Sequence, residues 1–401
     1  MRVVRVIGLG GFLALFAGLL GVDSVLAAVT VDAEIPAGNI VFEKADGDRV
    51  YVHQDLRDTT SDWFYWAMRV RGAAGRKLTF VFTRSDAVGV RGPVVTKDGG
   101  KTYAYPLDGK TTHREFTYEF GPDEDETWFY ECHPYVRADW DAFAAKYAAD
   151  SAFKTSVLCK SRKGADVPVA RAGCIASAPR HRVLMSARHH CSETMASWVL
   201  EGVVDAFLAE DDLGTWLRGN VELTVVPFTD YDGVQAGDQG KNRSPHDHNR
   251  DYTEFIYPET KAIAALLGAK DAGFEIYIDV HCPWLHSDCN EYLYTPVKNP
   301  AIVHDAALER RFSELLERLQ CGSMRYKASD DIPFGTKWNT EKNYTQGVSS
   351  VRWALANVPS LRIARTYEVP FANANGAVVT PDTCRALGRD TAKVFRALFS
   401  E

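Results

Sequence analysis

Arg188-His189-His190-Cys191-Ser192-Glu193-Thr194 follows a short, largely apolar run, Arg182–Ala187, and leads into a stretch with helical spacing. In that stretch Met195, Trp198, Val199, Gly202, Val203, Ala206 and Phe207 recur by threes and fours, so the segment is expected to join a strand to a helix with one apolar face. His190 and Glu193 stand three residues apart. On a helical turn both side chains project from one face and can meet a single metal ion. The pattern is weak by itself, because a surface His and a Glu serving the helix N-terminus through its dipole have the same spacing. Cys191 lies between them, but an unpaired cysteine is commonly a small buried hydrophobe, and that reading is preferred.

Outward from this segment, Val221–Phe228, Phe274–Val280 and Leu361–Val369 are apolar runs of buried-strand length, and Ala301–Gln320 and Thr383–Phe399 read as helices. Strands interleaved with helices point to an α/β domain over residues 131–401, with a mixed, largely parallel sheet covered by helices on both faces. Before it, Arg49–Val52, Trp63–Val70, Leu78–Phe82 and Arg114–Phe120 are short runs rich in aromatic and β-branched residues, separated by turn-formers such as Asp98-Gly99-Gly100. They predict a small antiparallel β-sandwich over residues 29–130. Two domains also suit a chain of 401 residues.

Residues 1–28 read as an export signal. Arg2 and Arg5 are basic, Val6–Val22 carries no charge, and Val25-Leu26-Ala27 offers small residues at a cleavage site. An uncleaved anchor is the alternative, since the apolar run lies at the lower edge of spanning length. Cleavage is preferred, which makes the protein secreted or periplasmic, with no stable membrane anchor once the signal is removed. In that setting Cys159–Cys174 and Cys282–Cys289 are candidate disulfides. The net charge of −7 and pI near 5.9 argue against a nucleic-acid partner, which needs a basic surface.

Three further segments carry chemistry. His281 follows an apolar strand, and open α/β sheets bind ligands beyond the carboxyl ends of their strands. With His190 and Glu193 it leaves one tetrahedral position for water, as a hydrolytic zinc requires. Lys241-Asn242-Arg243-Ser244-Pro245-His246-Asp247-His248-Asn249-Arg250 is a polar loop whose arginines suit carboxylates and oxyanions. Its composition alone fits a solvated loop, and His246-x-His248 is an alternative metal pair ranked below the first set. Glu368, near a strand end, is costly if buried unless paired or functional; beside an activated water it is a natural general base, and an exposed strand-end Glu reads equally well.

Taken in order, these elements resemble the M14 (carboxypeptidase A-like) family of zinc carboxypeptidases, from about residue 125 to the end. The order is His-x-x-Glu, then Pro227-Phe228-Thr229-Asp230-Tyr231-Asp232-Gly233, then Asn249-Arg250, then His281, then Glu368. Pairing with an N-terminal β-domain is similar to the cytosolic-carboxypeptidase-type branch. The resemblance implies one Zn2+ per chain on His190, Glu193 and His281, with Asp247 hydrogen-bonding a ligand histidine. It further implies that Asn249 and Arg250 hold the terminal carboxylate of a peptide or protein, Arg243 polarises the scissile carbonyl, and Glu368 is the general base. Tyr344 would close over substrate and Val351 would floor the specificity pocket, next to Arg352, which a one-residue slip would put there instead. Cys191-Ser192 in place of Pro-Gly, Asp230-Tyr231-Asp232-Gly233 in place of Asn-Pro-Asp-Gly, and His248 in place of Leu depart from the family pattern without removing a ligand or the base. Hydrolysis of the C-terminal peptide bond is the expected reaction. A zinc amidase or deacylase acting on cell-wall peptides or N-acyl amino acids is the alternative, and a non-catalytic binding module that keeps the pocket is a more distant one.

Overall fold

A computed structural model describes residues 28–401, so the export signal read over residues 1–28 lies outside the described residues but for Ala28. The first strands are β1 (Thr30–Asp32), β2 (Val41–Asp46), β3 (Arg49–His53), β4 (Ala67–Arg71), β5 (Lys77–Phe82), β6 (Val94–Thr96), β7 (Glu115–Glu119) and β8 (Glu126–Tyr130). They form two four-stranded sheets, ordered β1-β4-β8-β6 and β2-β3-β5-β7. Alternation explains the packing: Leu78, Phe80 and Phe82 turn inward from β5 and meet Phe116 of β7 and Phe129 of β8. Phe80 lies 5.0 Å from Phe116 and 5.5 Å from Phe129, centroid to centroid, so aromatic rings join the two sheets. One pair departs from the antiparallel expectation: β3 and β5 run parallel, because the chain between them crosses to the other sheet through β4. Of the expected Trp63–Val70 strand, only the part from Ala67 is paired along its length.

After α1 (Arg137–Ala145) come β9 (Phe153–Lys160), β10 (Asp166–Gly173), β11 (His181–Ala187), α2 (Met195–Leu208), α3 (Asp212–Asn220), β12 (Val221–Val226), α4 (Tyr231–Ala236) and α5 (Pro258–Gly268). Then follow β13 (Ile276–His281), α6 (Ala306–Leu319), α7 (Ser350–Asn357), β14 (Ile363–Glu368) and α8 (Pro381–Ser400). Helix α6 starts at Ala306 rather than Ala301, because the Asp305 side chain caps it by accepting from Leu308 N. The sheet order is β14-β13-β11-β12-β10-β9. Strands β11 to β14 are parallel, and β9 and β10 add an antiparallel edge, so the sheet is mixed and largely parallel.

Each central strand is buried on both faces. Val183, Met185 and Ala187 of β11 pack with residues of α2, α3, α6 and α8, while Leu184 packs with Ile263 and Leu267 of α5 and Val351 and Ala354 of α7. Helices α2 and α8 cross closely because Gly202 carries no Cβ; one there would lie 2.0 Å from Arg385 O. None of the expected disulfides is present, and all eight cysteines are unpaired. Cys159 pairs in register with Val167, whereas Cys174 lies seven residues further along, on the order of 20 Å at about 3.3 Å per residue. Cys282 belongs to the large core and Cys289 to a small separate cluster, where its sulfur accepts from Lys337 Nζ at 2.9 Å.

The sandwich core and the core on the α2 face of the large sheet are one contiguous hydrophobic cluster. Unfolding is therefore expected to be a single calorimetric transition. Phe80→Ala should lower the stability of the whole chain by about 3–5 kcal/mol; two separated transitions, with only one moved by Phe80→Ala, would show uncoupled units.

Candidate metal centre and cavity

The candidate residues meet at the carboxyl edge of the parallel strands. His281 ends β13 and Glu368 ends β14, paired across the sheet in register. His190 and Glu193 come from the segment leaving β11, where Arg188 takes φ 64°. This segment is not yet helical: a turn closed by Glu193 N donating to His190 O (3.2 Å) brings the two side chains together, and α2 begins only at Met195. His190 Nδ1 lies 2.7 Å from Glu193 Oε1, His281 Nδ1 lies 2.8 Å from Glu193 Oε2, and the two Nδ1 atoms are 3.2 Å apart. All three side chains are buried. Burial would raise the Glu193 carboxyl, yet His190 and His281 beside it hold it well below the usual range. Two imidazoles and a carboxylate converging within 4.8 Å, with a cavity in front of them, are a donor set that suits zinc.

His189, Asp279 and His281 converge equally closely but have other uses for their atoms. Asp279 Oδ1 accepts from His189 Nδ1 and Ser186 Oγ, both at 2.8 Å; Oδ2 accepts from His281 Nε2 at 2.8 Å and Ser350 Oγ at 2.7 Å. His189 Nε2 faces Tyr252 Oη at 2.7 Å. With Nε2 of His281 donated to Asp279, its Nδ1 is left toward the cavity. The signal for Asp279 in the sequence is its place two residues before His281 on one strand and thus on the same face. Asp247 Oδ1 lies 3.6 Å from His190 Nε2 and has no hydrogen-bond partner among the described residues.

A cavity of about 300 Å³ opens on the ligand set and takes in Glu368, Asn249, Arg250 and Tyr344. Asn249 and Arg250 lie in a 3-10 turn, His248–Arg250, with Asn249 Nδ2 3.2 Å from His281 Nε2. Arg250 is steadied by the carbonyls of Asn249 (2.8 Å) and Asn343 (3.0 Å), and its guanidinium lies 5.7 Å from the Tyr344 ring centroid. Glu368 is buried, and this desolvation raises its carboxyl to about 7, against the opposing charge of His281. Trp63, Trp284 and Trp338 also line the cavity, and Trp63 comes from the sandwich.

Two expected residues are elsewhere. Val351 is 1% exposed inside the α7 core, packed with Leu184 and Tyr252 rather than flooring the cavity, because α7 turns that face to the sheet. Arg352 does not replace it: its NH1 pairs with Glu341 at 3.0 Å and its guanidinium covers Tyr344 at 4.3 Å. Lys298 lines the cavity together with Arg250 and Lys241, and its Nζ donates to Thr366 Oγ1 at 3.0 Å. Nothing in the spacing marks Lys298, since only the return path of the segment after β13 turns it inward. Arg243 is likewise outside the cavity. Its guanidinium meets Asp230 Oδ2 at 2.5 Å, Asp58 Oδ2 at 2.9 Å and Asp238 Oδ2 at 3.3 Å. Burial works against this charge, but Asp230 and its neighbours keep it firmly protonated. Nor do His246 and His248 share a metal: His246 Nε2 bonds Asp251 Oδ1 at 2.7 Å, and His248 stacks on Tyr257 at 3.6 Å. Cys191 Sγ donates to Asp238 O at 3.0 Å, away from the ligands.

No protein-family model matches the chain. Cytosolic carboxypeptidase 2 of Xenopus tropicalis is 28% identical over 160 residues, which is 37% of this chain and 16% of that protein. An uncharacterised protein of Zymomonas mobilis is 26% identical over 263 residues, 63% of this chain and 67% of that protein. Among solved structures, a metallo-carboxypeptidase from Burkholderia cenocepacia superposes with a TM-score of 0.75 at 18% identity, covering 93% of this chain and 99% of that one. A metallo-carboxypeptidase from Pseudomonas aeruginosa, in complex with (2-guanidinoethylmercapto)succinic acid, gives 0.72 at 20% identity, covering 92% and 99%. The fold is that of the metallo-carboxypeptidases over both the sandwich and the α/β unit, and the resemblance to the M14 family, with its cytosolic-type branch, stands.

Arg243→Ala would leave three carboxylates without their common partner. It is expected to cost about 3–5 kcal/mol of stability in denaturant unfolding; unchanged stability with lost turnover would return Arg243 to a catalytic role.

Proposed function

We propose that the chain is a zinc-dependent carboxypeptidase that removes the C-terminal residue of peptides or proteins, acting after export from the cytoplasm. The reading rests on one observation: a single cavity joins the His190, Glu193 and His281 donors, Glu368, and the Asn249–Arg250 pair. Zinc, when bound by those three side chains, would supply Lewis-acid activation of water and carbonyl. Arg250 and Asn249 hold the terminal carboxylate, which demands a free carboxyl group one residue beyond the cut. Tyr344, with its ring beside Arg250, covers the bound residue. Glu368 takes a proton from the attacking water as its oxygen bonds to the carbonyl carbon. It then delivers that proton to the amide nitrogen as the C–N bond breaks. The products are a shortened peptide and a free amino acid.

Lys298 supports a preference among terminal residues. Burial lowers its ammonium to about 8, and no carboxylate among the described residues lies within ion-pair distance of it. A terminal residue with an acidic side chain would fill that vacancy in charge, as electrostatic complementarity favours.

Glu368→Gln should keep stoichiometric zinc and lose turnover by about 10²–10⁴-fold; metal analysis and a C-terminal release assay on one preparation read both, and full activity would sink the base assignment. Lys298→Met should cut the preference for C-terminal glutamate over leucine in kcat/KM by about 10- to 100-fold. An unchanged ratio would mean that Lys298 does not meet the terminal side chain.

A further inference from the structure

Of the cations lining the cavity, Arg250 is held by two carbonyls and Lys298 by a hydroxyl, whereas Lys241 reaches a candidate metal ligand. Lys241 Nζ donates to His190 Nε2 at 3.1 Å. That contact cannot survive metal binding. His190 turns Nδ1 toward Glu193 and His281, and a neutral imidazole that ligates through Nδ1 carries its proton on Nε2. Nε2–H then has Asp247 Oδ1 as its natural acceptor, an atom otherwise without a partner. The ammonium is released beside the reacting centre, where it needs a new acceptor.

The segment carrying Lys241 is gripped from the sandwich on both sides of it. Asp58 accepts from Gln239 N at 2.9 Å and Gly240 N at 2.8 Å, and from Arg243 Nε at 2.9 Å. Beyond Lys241, Asn242 O accepts from Thr60 N (3.0 Å) and Oγ1 (2.8 Å), and Asn242 Nδ2 donates to Ser61 Oγ at 2.9 Å. Gly240, at φ 73°, is pressed against the ligand segment so closely that a Cβ would lie 2.3 Å from Cys191 N. We propose that Lys241 is the catalytic cation that binds the oxyanion of the scissile carbonyl, and that Asp58 of the sandwich is the residue that positions it. This rests on the carboxypeptidase reading and gives the β-sandwich a part in the reaction.

The test uses full-length, zinc-loaded protein that cleaves a peptide ending in glutamate, with Lys241→Met, Lys241→Arg and Asp58→Asn beside it. Turnover is read together with zinc content and the affinities for two ligands: a phosphinic peptide, which mimics the tetrahedral oxyanion, and free glutamate. Lys241→Met should lose about 100-fold or more in kcat and in phosphinate affinity, with KM and glutamate affinity within about threefold of wild type and zinc retained. Lys241→Arg should regain most of that loss. Asp58→Asn should show the same pattern at about 10-fold, as a misplaced group would. A kcat for Lys241→Met close to wild type, equal weakening of both ligands, or lost zinc would overturn the assignment; an Asp58→Asn protein with unaltered kcat and phosphinate affinity would overturn the positioning. If Lys241→Met does not fold, Lys241→Gln takes its place with the same expected losses. Absence of peptide cleavage by wild type would instead overturn the carboxypeptidase reading, and the phosphinate arm, which needs no turnover, would still decide for or against Lys241.

Discussion

Asp279 has no contact with solvent and is ringed by four donors: two histidines and two serines. A carboxylate so deeply buried is tolerable only while these bonds persist, and they hold it well below the usual carboxylate range despite its desolvation. The donors arrive from β11, β13, α7 and the segment after β11, so one buried charge ties the central strands to the helix beneath them. It also decides which nitrogen of His281 faces the cavity. The geometry of the candidate ligand set is thus fixed one layer below it, by a residue that does not line the cavity.

A second constraint acts from the opposite side. The loop between α4 and α5 carries the cavity-lining residues Lys241, Asn249 and Arg250, and it has little regular structure to hold it. The sandwich supplies what is missing: Asn39 Nδ2 donates to Gly237 O at 2.7 Å, Tyr65 N to Gln239 Oε1 at 2.9 Å, and Asp58 receives three bonds from the loop. Arg243 gathers Asp58, Asp230 and Asp238 into one network, so sandwich, loop and the turn before α4 share a common cation. Its charge works as a fastener within the protein.

How much of this was legible in the chain depends on the range of the interaction. The parallel strands and the helices over them showed in local periodicity, and His190, Glu193, His281 and Glu368 could be found because each sits at or near a strand end. Asn249 and Arg250 followed from order along the chain. Arg243 and Lys241 lie two residues apart in one polar loop, and nothing local tells which of them turns to the cavity. That choice belongs to Asp58, far away in the sequence and in a different sheet system. Val351 failed for a related reason: the register of α7 against the sheet, a tertiary property, buries that face. Strand length separates Cys159 from Cys174 however near they stand in the sequence, and Cys282 and Cys289 pack into different clusters.

Gly240 touches backbone, and backbone cannot be trimmed. No choice of side chain at position 191 would relieve a Cβ that meets the main-chain nitrogen of that residue. In the drift of sequences over time, this makes the glycine a signature of the loop's route: any homologue with a bulkier residue there must carry its loop along another path. Gly-Lys at this place, read together with an aspartate in the sandwich loop, would mark out the relatives that share this chain's way of presenting a cation, even where overall identity has faded.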